Sequence, residues 1–431
     1  MTRHASSPAT ARQRGAATLI IVMVLFLVMA LLAAYASRSL LFEQRIASSY
    51  ARASLAQEAA EGGIEWTLAQ LNGPPIDGAC VPKDAGGQRF MDKYLQLDVA
   101  DRTFQLNKIV RSVMVDCQRS PDGTGWACQC PELEERTEPA AAAGDDITPS
   151  FGVILDTGPR NGTLRVKVLG CTASVVDRCV GVSNAAQRSK AQLALSTLDS
   201  LVALVGAVRT PPATPLTVKG DLTMTGTGLG LHNTDARSAG TLLAIGGTWT
   251  GMNDERMEGV PGTALSELRV QGDPALRDAP AGDDVFKMFM GMTGAHYRHH
   301  PALREVTCAG DCSEALAKAY AAGQRMLWVN GALQISSNTV IGSVDDPVLI
   351  VAQDIVLGGP FQINGMLVAQ GNLTWTNSTA QPSQVSGMVL VTGSMSTHGA
   401  MDISYQQAVA DRLRNGVGSF VRVPGGWQDG I

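Results

Sequence analysis

The stretch from Ala16 to Ala36, AATLIIVMVLFLVMALLAAYA, contains no charged side chain. As a helix rising ~1.5 Å per residue it matches the ~30 Å hydrocarbon core of a bilayer. No water-soluble surface tolerates such a run, so the chain must bury it in lipid, bury it in protein, or discard it. A secretory signal would discard it, and Ala34-Tyr35-Ala36 offers a small-x-small cleavage site. The apolar core of such a signal is shorter, about 7–15 residues. Helical character here continues past the run, through SRSLLFEQRIASSYARASLAQEAAEGGIEWTLAQL, until Asn72-Gly73-Pro74-Pro75 stops it. Arg3, Arg12 and Arg14 precede the run with no acid among them, which sets the amino terminus in the cytoplasm and the remainder outside. The segment reads as a retained anchor.

A basic leader ending in Arg14-Gly15, then Ala16-Ala17-Thr18-Leu19, an apolar run and a long helix resembles a type IV prepilin, of the PilX kind of minor pilin. The resemblance implies cleavage by a prepilin peptidase between Gly15 and Ala16, methylation of the new amino terminus, and an apolar helix that stays. It implies as partners the inner membrane, the major pilin and other minor pilins, with a tip adhesin as a further candidate. Major pilins carry a glutamate at the fifth mature position, where this chain has Ile20. A carboxylate within apolar helix packing is costly and persists where it has a partner. In the family that partner is taken to be the amino terminus of the subunit above. The tip pseudopilin of type II secretion, GspK, lacks the acid too, so Ile20 points to a position at or near a filament tip.

The eight cysteines, Cys80, Cys117, Cys128, Cys130, Cys171, Cys179, Cys308 and Cys312, all follow the apolar run. An even number on the outer side fits disulfides in an oxidising compartment. Cys171 with Cys179 and Cys308 with Cys312 are the expected local loops, and the pairing of the other four stays open. Cys128-x-Cys130 lacks the spacing of a zinc site. A net charge of −5 and the absence of a Lys/Arg patch interleaved with aromatics give no field for nucleic acid.

Beyond the helix, RTFQLNKIVRSVMVDC and FGVILDTGPRNGTLRVKVLGC carry short alternating runs, with Gly158 to Gly162 as a hairpin loop and Leu164, Val166 and Val168 on one face. RSKAQLALSTL supplies another strand through Ala191, Leu193 and Leu195, or a short helix. EPAAAAGDDITPS reads as an exposed loop. From about Thr217 the pattern becomes an apolar strand, a small or polar corner and a second short strand. Val329-Asn330-Gly331, Val351-Ala352-Gln353, Val368-Ala369-Gln370 and Val391-Thr392-Gly393 align as equivalent corners near twenty residues apart. That spacing favours rungs of a β-solenoid over a β-sandwich. The helix-like stretches between residues 273 and 324 read as an inserted lobe.

The expected class is therefore α+β: a leader at 1–15, a pilin helix at 16–72 packed on an antiparallel β head at 73–205, and a β-rich, solenoid-like domain at 217–431 containing a lobe at 273–324. His296, His299 and His300 in HYRHHP are candidate metal ligands by type, and a solvated loop by context. Asp145-Asp146, Asp283-Asp284 and Asp345-Asp346 lack the spacing of a calcium loop, and no P-loop, H-E-x-x-H or G-x-S-x-G occurs. No enzyme activity, cofactor or metal is expected. The reading is a tip-proximal minor pilin that promotes assembly and presents a surface. A type II secretion pseudopilin is the near alternative, and an anchored solenoid that binds or degrades polysaccharide the distant one. The mature chain should begin at a methylated Ala16, and Gly15→Arg should leave the leader attached. Mass spectrometry of the intact chain checks both.

Overall fold

The computed structural model describes residues 16–83, 87–107, 115–120, 122–130, 147–182 and 184–430. A single helix, Ala16–Leu71, spans 56 residues and is ~84 Å long at ~1.5 Å per residue. Its two parts have different surroundings. The first stands free, and in the second Ala56, Ala59, Ala60, Ile64 and Leu71 are buried at helical spacing against a sheet. Asn72 ends the helix: its amide donates to the Leu68 carbonyl at 3.0 Å and the Phe420 carbonyl at 2.9 Å, and accepts from the Phe420 N–H at 2.7 Å. Pro74 and Pro75 cannot continue the helix.

The sheet is antiparallel and six-stranded, in the order Gly418–Gly430, Leu195–Gly206, Thr163–Cys171, Ser150–Thr157, Val115–Arg119, Trp126–Gln129. The hairpin closes through Gly158 to Gly162 with Thr157 opposite Leu164. Leu164, Val166 and Val168 all face the helix and are buried. Ala191 and Leu193 precede the next strand, which begins at Leu195 after a short helix, Ala185–Lys190. Both the strand and the helix alternatives for that stretch thus occur, one after the other.

Helix and sheet touch at small residues. A side chain at Gly170 would strike the backbone at Ala56 and Ala60, and one at Gly63 would stand 2.8 Å from the Phe151 ring. At Gly62 the nearest neighbour is the Trp126 ring, at 3.2 Å. The paired glycines therefore serve close packing at Gly63.

From Leu216 the chain forms parallel strands in three faces. One face stacks Leu303–Val306, Met326–Val329, Val348–Ala352, the distal parts of Phe361–Ala369 and Ser383–Val391, then Leu216–Val218, Leu243–Ile245 and Arg269–Gln271. A second stacks Leu333–Ile335, Ile355–Gly358, Leu373–Asn377, Met395–Gly399, Leu222–Thr225 and Trp249–Thr250. A third runs from Thr339–Ile341 through the proximal parts of the two long strands to Met401–Ser404, Leu229–His232 and Met257–Glu258. All pairs are parallel, as stacked rungs require and as an antiparallel sandwich does not give. Among the expected corners, Ala352 and Ala369 align. Val351 instead pairs with Trp328 and Val391 with Ala369, so the outer two corners are displaced by one residue.

The faces differ in burial, and the sequence texture follows. The first is covered on both sides: Leu327, Ile350, Leu367 and Val389 point into the rung core, while Trp328, Val351, Val368 and Leu390 meet Phe286, Tyr297, Val409 and Leu413 outside. Strands covered twice read as unbroken apolar runs, such as VLIVA. The second face is covered once, and LTWTN alternates. A side-chain ladder fixes the corner. Asp354 accepts from the Asn372 N–H at 2.7 Å, Asn372 from Ser394 at 2.9 Å, Ser394 from Asp221 at 3.2 Å and Asp221 from Thr248 at 2.8 Å.

That ladder crosses from residue 394 to 221 because the first rungs in sequence sit on the last: Leu216 pairs with Val389, Leu222 with Met395 and Leu229 with Met401. After Gln271 the chain crosses the first face as three short helices, Pro274–Arg277, Gly282–Met290 and Gly294–Tyr297, before re-entering as Leu303–Val306. The stretch 273–324 is thus a covering layer, a strand and the helix Ser313–Ala321, whose Leu316 enters the rung core. Gly418–Gly430 leaves the rungs and returns to the head sheet beside Leu195–Gly206. The rung region is consequently an insertion between two neighbouring head strands, and the expected extension of the second domain to 431 gives way to that return.

Gly63→Ala should destabilise the protein by about 1–3 kcal/mol, since the added methyl overpacks against Phe151 and Val168. Gly62→Ala should change it by less than ~1 kcal/mol, helix propensity offsetting the Trp126 contact. Denaturant unfolding of the detergent-solubilised chain checks the difference.

Candidate functional site

Between Leu19 and Leu32 the helix projects its side chains away from the protein, with Leu19 63% and Phe26 75% exposed. The first acid after the run is Glu43. An apolar surface of this size is not stable in water and marks a membrane or protein contact, and the helix is long and apolar enough to cross a bilayer. Ile20, 61% exposed, lies on this surface. Ala16 opens the helix; Gly15, on the other side of the expected cleavage point, lies outside the described residues.

All eight cysteines are paired: Cys80 with Cys130, Cys117 with Cys128, Cys171 with Cys179 and Cys308 with Cys312. The last two are the local loops of the sequence analysis. Cys117 and Cys128 sit opposite one another on adjacent strands. The Cys80–Cys130 bridge ties the segment after the helix to the sheet, aided by Lys93, whose ammonium donates to the Cys130 carbonyl at 2.9 Å. Cys308–Cys312 sits at the end of the rungs, where Cys312 and Leu316 close the core.

The three histidines of HYRHHP do not converge. His296 shares a hydrogen bond with the Thr293 hydroxyl at 2.7 Å, His299 is exposed, and His300 is buried beside the Tyr297 ring. Burial lowers the pKa of His300 and raises that of Tyr297, whose hydroxyl donates to the Ala207 carbonyl at 2.5 Å. The acidic pairs are likewise structural. Asp284 accepts from the Ala281 N–H at 3.0 Å and Asp283 from Gly294 at 2.7 Å. Asp346 binds both ends of the Arg325 guanidinium, at 2.6 and 2.7 Å, and Asp345 pairs with Arg412 at 3.2 Å. Asp145 and Asp146 lie outside the described residues. Among the described residues no group of three His, Cys, Asp or Glu side chains could hold a metal ion.

One cluster escaped the sequence reading. His232 lies between Asp402, 3.1 Å from Nε2, and Glu258, 3.4 Å from Nδ1, and Arg256 donates to the same Asp402 oxygen at 2.7 Å. The three contributing strands are distant in sequence and adjacent in the stack, with His232 opposite both Glu258 and Ser404. No spacing rule joins residues brought together by the return of the last rung onto the first. The Asp402 hydrogen bond raises the His232 pKa, with Glu258 adding to it. The His232 hydrogen bond, then Arg256, lowers that of Asp402. Glu258, Asp402, Arg256 and His232 thus make one compact polar patch.

An apolar, membrane-length helix continued into a half packed on an antiparallel sheet is the architecture of a pilin-type subunit. Residues 14–65 match the PilX N-terminal family model. The match makes the N-terminal segment similar to that of type IV minor pilins of the PilX kind, and does not cover the head or the inserted rung region. No curated protein matches the chain. Among solved structures, the competence-associated pilin ComZ from Thermus thermophilus aligns at 9% identity over 88% of this chain and 97% of that one, with a TM-score of 0.20. So low a score carries no argument.

The His232 cluster makes stability depend on pH in a definite direction. A raised His232 pKa contributes stability that is fully present below the unfolded value near 6.5 and is lost as pH rises through the folded value. The lowered Asp402 pKa contributes above its ordinary value of 3.8, a contribution lost as pH falls through the folded one. His232→Gln should therefore flatten the fall in stability between about pH 6 and pH 8, a change of less than ~1 kcal/mol for so exposed a pair. Melting curves at the two pH values check this.

Proposed function

We propose that this minor pilin works in few copies near the tip of a type IV pilus, where it promotes assembly and presents the rung region outward. The observation that carries the reading is the insertion. A head enlarged by a stack of rungs between its two outermost strands is too bulky to repeat along a close-packed shaft. Ile20 supports it, because a subunit without the fifth-position acid is suited to a place with no amino terminus to neutralise above it. The leading arginines orient the anchor with the head on the oxidising side, in keeping with four disulfides. On this reading a prepilin peptidase cuts between Gly15 and Ala16 while the chain waits in the inner membrane. The major pilin and other minor pilins then receive the exposed helix, and a tip adhesin is a candidate cargo.

Deleting the gene should sharply reduce pilus number while the major pilin accumulates in the membrane, and immunogold labelling should mark filament ends. Label spread evenly along shafts, with normal piliation in the deletion strain, would overturn the proposal. Normal piliation with lost protein secretion would instead assign the subunit to a type II secretion pseudopilus.

A further inference from the structure

The helix beyond the membrane-length run carries two stripes of opposite charge. Arg38, Arg45 and Arg52 are spaced by seven, and at ~100° per residue fall within about 40° of one another. Glu58, Glu61 and Glu65 fall within about 60° on the opposite side of the same helix. Arg38 and Arg45 are exposed and make no ion pair among the described residues; Arg52 is half-buried and donates to Ser48 at 3.4 Å. On the acidic stripe Glu58 is exposed and unpaired, Glu61 accepts from Gln57 at 3.1 Å, and Glu65 meets Arg422 at 2.7 Å on the surface. A shallow groove runs beside this stripe, lined by Trp126, Trp427, Arg119 and Arg422, with Trp427 50% exposed.

We propose that the two stripes are the halves of one interface between copies of this chain, the basic stripe of one copy docking on the acidic stripe and groove of a second. Arg38 to Glu58 and Arg45 to Glu65 are each twenty positions apart. One axial displacement of about 30 Å therefore satisfies both free arginines at once. Because the stripes lie on opposite sides, the second helix reaches this position by translation with little rotation. The contact is head-to-tail and leaves a free stripe at each end of the pair. The displacement also sets the first copy's helix start level with Ala36 of the second, far above that copy's Ile20, so that no carboxylate at position 20 is called for.

The proposal rests on the helix being an assembly surface and not on tip placement. A photo-crosslinking amino acid placed at exposed position 49, one turn beyond Arg45 on the basic stripe of the full chain, in the producing cells, should yield a dimer of this chain joined near Glu65. Arg45→Glu and Glu65→Arg should each reduce the crosslinked dimer and the recovery in sheared filaments about tenfold, through like charges face to face. The double variant should restore both to within about twofold, as coupled partners do. The Glu65–Arg422 pair is exposed and weak, so Glu65→Arg should keep the wild-type melting temperature. Crosslinks to a different pilin without charge-swap rescue, or single reversals without effect, would overturn the proposal. Rescue with label spread evenly along shafts would leave the interface standing and remove the tip placement.

Discussion

The pairing of Leu195–Gly206 with Gly418–Gly430 is the contact on which the whole arrangement depends. Two antiparallel neighbours are ordinarily joined by a short turn. Here the joining segment is the entire rung region, and the pairing brings its two ends together at the head. Asn72 adds a second hold, bonding both the N–H and the carbonyl of Phe420. Helix end, outer strand and rung exit thus converge on one place. The rungs leave the head and return to it through adjacent backbone, so the six-stranded head sheet is kept intact around the insertion.

The helix shows how one element serves two environments. Its first half has no core to enter and must find lipid or other helices. Its second half approaches the sheet through Ala56, Ala60 and Gly63, small residues that let the backbone close on Phe151, Val168 and Gly170. Anchor and head are therefore joined by one continuous helix, Ala16–Leu71, with no linker between them.

What could be read in advance follows from how local each determinant is. The anchor, the helix stop at Asn72 to Pro75, the hairpin at Gly158 to Gly162 and the two short cysteine loops are encoded by neighbouring residues. Rung texture was legible for the same reason, since each strand's alternation reports its own burial. The order of the rungs was not, because the pairing of Leu216 with Val389 depends on residues far apart whose strands look like any others. The return of the last strand was hidden likewise, since GSFVRVPGGWQDG carries no mark of the sheet it will join. His232 went unnoticed because its partners at 258 and 402 come from other rungs. His296, His299 and His300, by contrast, are conspicuous only by proximity in sequence.

The placement of the first rungs on the last has a kinetic consequence. Strands between Leu216 and Gln271 emerge from synthesis early, yet the surface they stack on, Ser383 to Ser404, is made more than a hundred residues later. Until then they have only one another, two partial rungs with an open core. Contacts closed across so long a separation form slowly, so the rung region is poised to complete late and in one step. The outer head strand, last of all to be made, can pair only after that. A chain still being synthesised therefore cannot yet have its finished head, and the rungs and the head sheet are completed together only when the last strand is present.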